Sequence, residues 1–121
     1  MKLPGSDHPI AIKPTPERVR VTFNGQVVAD TTRALVLQEA AYKPVFYIPR
    51  DDAQMAMFER TAHSTHCPYK GDASYYTIKA GDHSAENAIW SYETPFPAMK
   101  EIEGHLAFYP NRVDAIEVTP P

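Results

Sequence analysis

Sixteen residues, Thr61 to Tyr76, hold most of the reactive side-chain types in this chain. The only cysteine, Cys67, lies there, with His63 and His66 before it and Lys70-Gly71 after it. A thiolate is the nucleophilic form of cysteine, and its ordinary pKa of about 8.5 falls when cations stand near. Cys67 with His66 and Lys70 therefore offers a nucleophile, a base and a cation, the minimal set for covalent catalysis. The plain alternative is an inert cysteine packed as a small hydrophobe.

The run His63-Ser64-Thr65-His66-Cys67 also contains ligand types that zinc accepts. A structural zinc site takes four ligands, usually in spaced pairs. Here one cysteine stands alone and His8, His83 and His105 are scattered. We therefore expect no metal and no cofactor. Lys70-Gly71 places an ammonium beside a residue with no side chain, where backbone amides can approach an anion. The flanking residues of a phosphate-binding Gly-Lys-Ser/Thr loop are absent.

Four carboxylates, Glu39, Asp52, Glu86 and Glu93, lie near the ends of strand-like runs. Any two could share acid–base work, and their spacing selects no pair. Glu39 stands out because it follows the apolar run Ala34–Leu37 and can point inward. Seven tyrosines are many for 121 residues. Tyrosine suits a pocket wall with one wet end, and it equally suits a strand. Trp90 is read as core, with a pocket wall as its alternative.

The elements that must position these residues are mostly strands. Val19, Val21 and Phe23 alternate with polar residues, the period of a half-buried strand. Asn24-Gly25 is a strong hairpin signal, and Gln26–Asp30 returns. Ala34–Glu39 and Val45–Ile48 predict a second hairpin. Asp51 or Asp52 can cap a helix over Ala53–Glu59, with Met55 and Phe58 facing inward. Thr61–Asp72 shows no period and is expected to be an ordered loop. Tyr75–Ala80 and Ala88–Tyr92 read as strands around a Gly81–Ser84 turn. Ala98–Ile102 is expected to be a short helix stopped by Gly104. Leu106–Tyr109 and Asp114–Val118 complete the strands. Twelve prolines, against a typical ~5%, leave little room for a long helix. The expected fold is mostly β, α+β with minor helix: two packed antiparallel sheets of short strands and one or two short helices. Residues 1–16, with four of the prolines, are expected to be an extended arm on the surface or on a neighbouring subunit. Residues 17–121 are expected to be one compact domain.

Bulk properties exclude some functions. A formal charge of −3 argues against nucleic-acid binding, which usually needs a basic excess. No apolar run approaches the ~20 residues that span a bilayer. One cysteine gives no internal disulfide and the N-terminus has no apolar signal core, so a soluble cytoplasmic protein is expected.

Several stretches together carry a resemblance. They are Arg-Val-Arg-Val-x-Phe-Asn-Gly at 18–25, Arg-Ala-Leu-Val-Leu-x-Glu at 33–39 and Pro-Val-Phe-Tyr-Ile-Pro-Arg-Asp-Asp at 44–52. Thr-His-Cys-Pro-Tyr-Lys-Gly-Asp-Ala-Ser-Tyr-Tyr follows at 65–76, then Glu-Asn-Ala-Ile-Trp-Ser-Tyr-Glu at 86–93 and Leu-Ala-Phe-Tyr-x-x-Arg-Val-Asp at 106–114. The chain resembles the domain of unknown function 427 family, found in bacteria and fungi, over roughly residues 17–118. That resemblance implies a compact, mostly-β fold close to a tent-like pair of antiparallel sheets. The family also carries a nucleotidyltransferase-like label, but the Gly-Ser…Asp-x-Asp pattern of metal-dependent nucleotidyl transfer is missing here. The matching motif residues are Glu39, Tyr47, Asp52, Thr65, Cys67, Lys70, Tyr76, Trp90 and Tyr92.

The reading that follows is a small-molecule pocket between the sheets, ligand unknown. Tyr47, Tyr76, Trp90 and Tyr92 would wall it, with Thr65 and Asp52 among its binding residues. In an enzymatic version Cys67 is the nucleophile, Lys70 stabilises charge, and His66 or Glu39 moves the proton. A third class is a structural or interaction protein, a homodimer built on the N-terminal arm.

Overall fold

Alternation sets the frame. Val19 and Val21 are fully buried, and Asn24-Gly25 turn the chain back at φ 50° and 73°. Positive φ at both positions matches a two-residue turn to the twist of its strands. The computed structural model describes residues 1–121. It contains ten strands: β1 (Ile10–Pro14), β2 (Arg18–Phe23), β3 (Gln26–Thr31), β4 (Leu35–Glu39), β5 (Val45–Tyr47), β6 (Phe58–Cys67), β7 (Gly71–Ala80), β8 (His83–Ser91), β9 (Ala107–Phe108) and β10 (Ala115–Thr119). No helix is long and apolar enough to cross a membrane.

The class is mostly β as expected, but the strands form three antiparallel sheets rather than two. Their orders are β1-β4-β5, β10-β2-β3 and β6-β7-β8-β9. Ile48 and Leu106 exchange backbone hydrogen bonds of 2.8 Å, which join the end of β5 to the approach to β9. Two apolar clusters fill the space between sheets. One joins Val19, Val21 and Val28 to Tyr76, Ile78 and Ile89. The other joins Leu37 and Tyr47 to Ala73, Tyr75, Tyr92, Met99 and Ile102. Each aliphatic side chain so buried is worth about 1.5–3 kcal/mol.

Three local expectations are corrected. The stretch 53–59 is not an α-helix. Arg50–Asp52 and Met55–Met57 are single 3-10 turns, and Phe58 already begins β6. An i, i+3 apolar pair fits a 3-10 turn as well as an α-helix. Neither Asp51 nor Asp52 caps a helix; both lie inside the first turn. The stretch 61–72 is not a loop. It is most of β6, a three-residue turn at 68–70, and the start of β7. As the outer strand of its sheet, β6 is exposed along most of its length, so it has no buried face and shows no period.

The proline-rich N-terminal stretch is extended, and part of it is a strand. In β1, Ile10 and Ile12 pack against the second cluster while the strand pairs with β4. The residues before it contact the same chain, through a 2.7 Å bond from Lys2 N to Pro68 O.

Candidate functional site

Strand register decides which side chains share a face. In an antiparallel pair, directly opposite residues point the same way and successive residues alternate. Tyr75 lies opposite Trp90, and Tyr76 opposite Ile89. Tyr75 and Trp90 therefore share one side of the sheet, and Tyr92 joins them in the second cluster. Tyr76 faces the other side with Ile89, where it meets Ser91 and Glu93 around Arg50.

On the Tyr75 side lies a cleft of about 300 Å³, lined by Leu37, Glu39, Tyr42, Lys43, Val45, Tyr47, Lys70, Tyr75, Trp90, Tyr92 and Tyr109. Lys70 sits in the β6–β7 turn yet is only 7% exposed. A lysine is almost never buried unless paired, and its partner is Glu39. Lys70 Nζ donates to Glu39 Oε1 at 2.5 Å and reaches Cys67 Sγ at 3.6 Å. The other oxygen of Glu39 meets His8 Nε2 at 2.8 Å, and the His8 ring stacks on Tyr69 at 4.1 Å. Burial pushes the Glu39 carboxyl up. The hydrogen bonds and charges of Lys70 and His8 outweigh that and hold it below the usual value.

Lys70 is buried because the chain covers this turn from two directions. The N-terminal stretch lies over Pro68 and Tyr69. From the other side, Phe96 N donates to Lys70 O at 3.0 Å. Gly71, at φ 109°, brings its bare Cα toward this backbone, and a Cβ there would lie 3.5 Å from Phe96 N. A contact of that length would admit a Cβ; the glycine answers instead to the backbone, because a side chain is strained at that φ.

The aromatic wall is held by its own contacts. Trp90 Nε1 donates to the Tyr47 hydroxyl at 3.2 Å, and Trp90 lies 4.5 Å from Tyr109, ring centre to ring centre. The Tyr75 hydroxyl is 3.0 Å from Thr65 Oγ1 and 3.4 Å from the Tyr109 hydroxyl. The Tyr92 hydroxyl has no partner within the protein, while its ring lies 5.9 Å from Lys70 Nζ. Burial pushes the Tyr47 and Tyr92 phenols above the ordinary tyrosine range. Tyr109 is pushed up to about 12, by burial and then by Tyr75. These phenols are therefore proton donors at neutral pH.

The structure brings together Glu39, Tyr47, Cys67, Lys70, Trp90 and Tyr92, with Thr65 one hydrogen bond behind Tyr75. It separates three others. His66 pairs with Asp72 at 2.7 Å on the exposed face of the β6–β7 hairpin. Asp52 accepts from Thr31 at 2.7 Å and from Arg33 at 3.1–3.2 Å, away from the cleft lining. Tyr76 donates to Glu93 at 2.9 Å on the opposite side of the sheet. Trp90 is half-buried and stands in the cleft wall rather than in the core. Reading residues alone misses His8, Lys43, Tyr75 and Tyr109. For Tyr75 a partial signal existed: pairing the strands outward from the turn sets it on the face of Ala88 and Trp90, and the bulge between Tyr76 and Ile78 moves its partner from the first to the second.

No curated protein matches this sequence. A family model described as Domain of unknown function (DUF427) matches residues 11–119, nearly the whole chain; it takes in every residue lining the cleft, while His8 lies outside it. The chain belongs to the DUF427 family.

Proposed function

We propose that this protein is a small-molecule-binding module whose ligand occupies the cleft over the Lys70–Glu39 pair. One observation carries the reading. The Lys70–Glu39 ion pair, buried at its lysine and half-buried at its carboxylate, and the unpartnered Tyr92 phenol line an aromatic-walled space of about 300 Å³. Ligand sites are mostly apolar with a few convergent polar groups, at volumes of about 300–1,000 Å³. The test is thermal stabilisation by a panel of small carboxylic and phenolic acids. Binding to the folded state alone raises stability by mass action. A stabilising acid should keep its effect in Cys67→Ala and lose it in Tyr92→Phe with Lys70→Met. Equal stabilisation of that double variant would reject the cleft as the site.

A second reading, a thiol-dependent enzyme, is favoured by the 3.6 Å contact between Lys70 Nζ and Cys67 Sγ. An ammonium at that distance stabilises a thiolate. Fast alkylation of native Cys67 by iodoacetamide at pH 6–7 supports it. A thiol that reacts only on unfolding removes it.

A further inference from the structure

A second cavity opens beside the first. It has a volume of about 470 Å³, and nine of its twelve lining residues are hydrophobic. Its floor is Val19, Val21 and Ile48, all buried. Its mouth includes Ile116 and Val118 on β10, where Val118 is 38% exposed. The two cavities share Lys43, Val45 and Trp90 as a common wall. One is rich in hydroxyls and charge; its neighbour is a greasy groove.

The polar groups that line the first cavity have one character, and one of them, Lys43, lines both. Lys43 has no ion-pair or hydrogen-bond partner, and the Tyr92 hydroxyl has none. The Tyr47 hydroxyl accepts from Trp90 but has no acceptor for its own proton. These are donors without acceptors. The one carboxylate lining the cleft, Glu39, is already engaged by Lys70 and His8. Counting Lys43, Lys70 and Glu39, the charge lining the cleft is positive.

We propose that the ligand is an anionic amphiphile, a monomeric long-chain carboxylate, with its head among Lys43, Tyr47 and Tyr92 and its alkyl chain in the adjoining groove. This rests on the cleft being a ligand site and adds the class of ligand. The carboxylate accepts from the three donors and balances the surplus charge. The chain covers apolar surface that a short acid would leave wet.

The test is calorimetric titration of the full chain with hexanoate, octanoate, decanoate and dodecanoate, each below its micelle concentration. Burying a methylene is worth about 0.8 kcal/mol, or about fourfold in affinity. The dissociation constant should therefore fall about fourfold per methylene until the groove is full. Val118→Trp, which fills the groove mouth from an exposed strand position, should flatten that dependence while leaving hexanoate binding in place. Lys43→Gln should weaken every member about two- to fivefold, the worth of a partly exposed charge pair. An unchanged melting temperature confirms that each variant folds. Chain-independent affinity overturns the amphiphile and leaves the cleft reading standing. So does stabilisation by the aromatic acids with no alkanoate binding. Equal binding of alkyltrimethylammonium ions overturns the anionic head, and preferential sedimentation with phosphatidylglycerol vesicles overturns the free monomer. Failure of both the acid panel and the alkanoates rejects the cleft itself.

Discussion

The two sides of the β7–β8 pair carry two ionic clusters that resemble one another on paper. On one side Arg50 donates to Gly104 O, Tyr76, Ser91 and Glu93, at 2.6–3.2 Å. Glu93 also accepts from Tyr76 and from Arg60. Burial pushes Glu93 up, but hydrogen bonds from Ser74 and Tyr76, with the charges of Arg60 and Arg50, hold it below the usual value. On the other side stands the chain His8–Glu39–Lys70–Cys67. The first cluster turns its polar capacity inward and spends it on backbone and neighbouring strands. The second stands beside the Tyr47 and Tyr92 phenols, whose protons have no acceptor within the protein. A completed network fixes structure, whereas an incomplete one beside a cavity has capacity left for something else.

The sharpest way to break this comparison is Arg50→Met. It takes from Gly104 O its side-chain donor and from Glu93 one of three, and losing one partner of a partly buried pair should cost about 3 kcal/mol. Urea unfolding should show this loss. If Arg50→Met instead abolished acid-induced stabilisation at unchanged stability, the two sides would have been assigned the wrong way round. Lys70→Met comes next, at about 2 kcal/mol, because Glu39 then keeps only His8. The Lys70→Met/Glu39→Gln double variant should recover about 1–2 kcal/mol of the summed losses, measured as a double-mutant cycle. Additive losses would mean that the pair is not coupled.

Acid should act on both sides together. The folded carboxyls of Glu39 and Glu93 lie below the reference value of 4.5. Their contribution is therefore fully present above about pH 4.5 and is lost as the pH falls through their lower folded values. Unfolding free energy should drop with acidification in that window, and Glu39→Gln should flatten the drop. A curve equally steep in Glu39→Gln would contradict the lowered carboxyl. The smallest effect belongs to His8→Ala, which removes one hydrogen bond and a stacked ring. About 0.5–1 kcal/mol is expected in urea unfolding.

Much of the scaffold was readable from local rules. The Asn24-Gly25 turn, the alternating valines before it and the strands around Gly81 all follow from backbone sterics and burial on one face. The errors fell where those rules have no grip. The outer strand β6 lacks a buried face, so its sequence looks like a loop. Met55 and Phe58 satisfy two helical periods at once. In the site, the motif residues Glu39, Cys67 and Lys70 were found because their chemistry is unusual, yet their partners were not. His8 reaches Glu39 only through the docking of the N-terminal stretch, which no local pattern records. Tyr76 matches the family pattern, yet Tyr75 lines the cleft, because a one-residue step reverses the face on which a side chain stands.

The chain His8–Glu39–Lys70 also has a consequence in time. His8 and Glu39 stand 31 residues apart, and Glu39 and Lys70 another 31. Neither contact can form locally, and each requires the closure of a long loop before any interaction repays it. The ion-paired end of the cleft is therefore complete only after both of these loops have closed. During synthesis, His8 and Glu39 must wait for the β6–β7 turn to emerge. The cleft thus records the meeting of distant segments, and a molecule bound there would hold both of those loops closed.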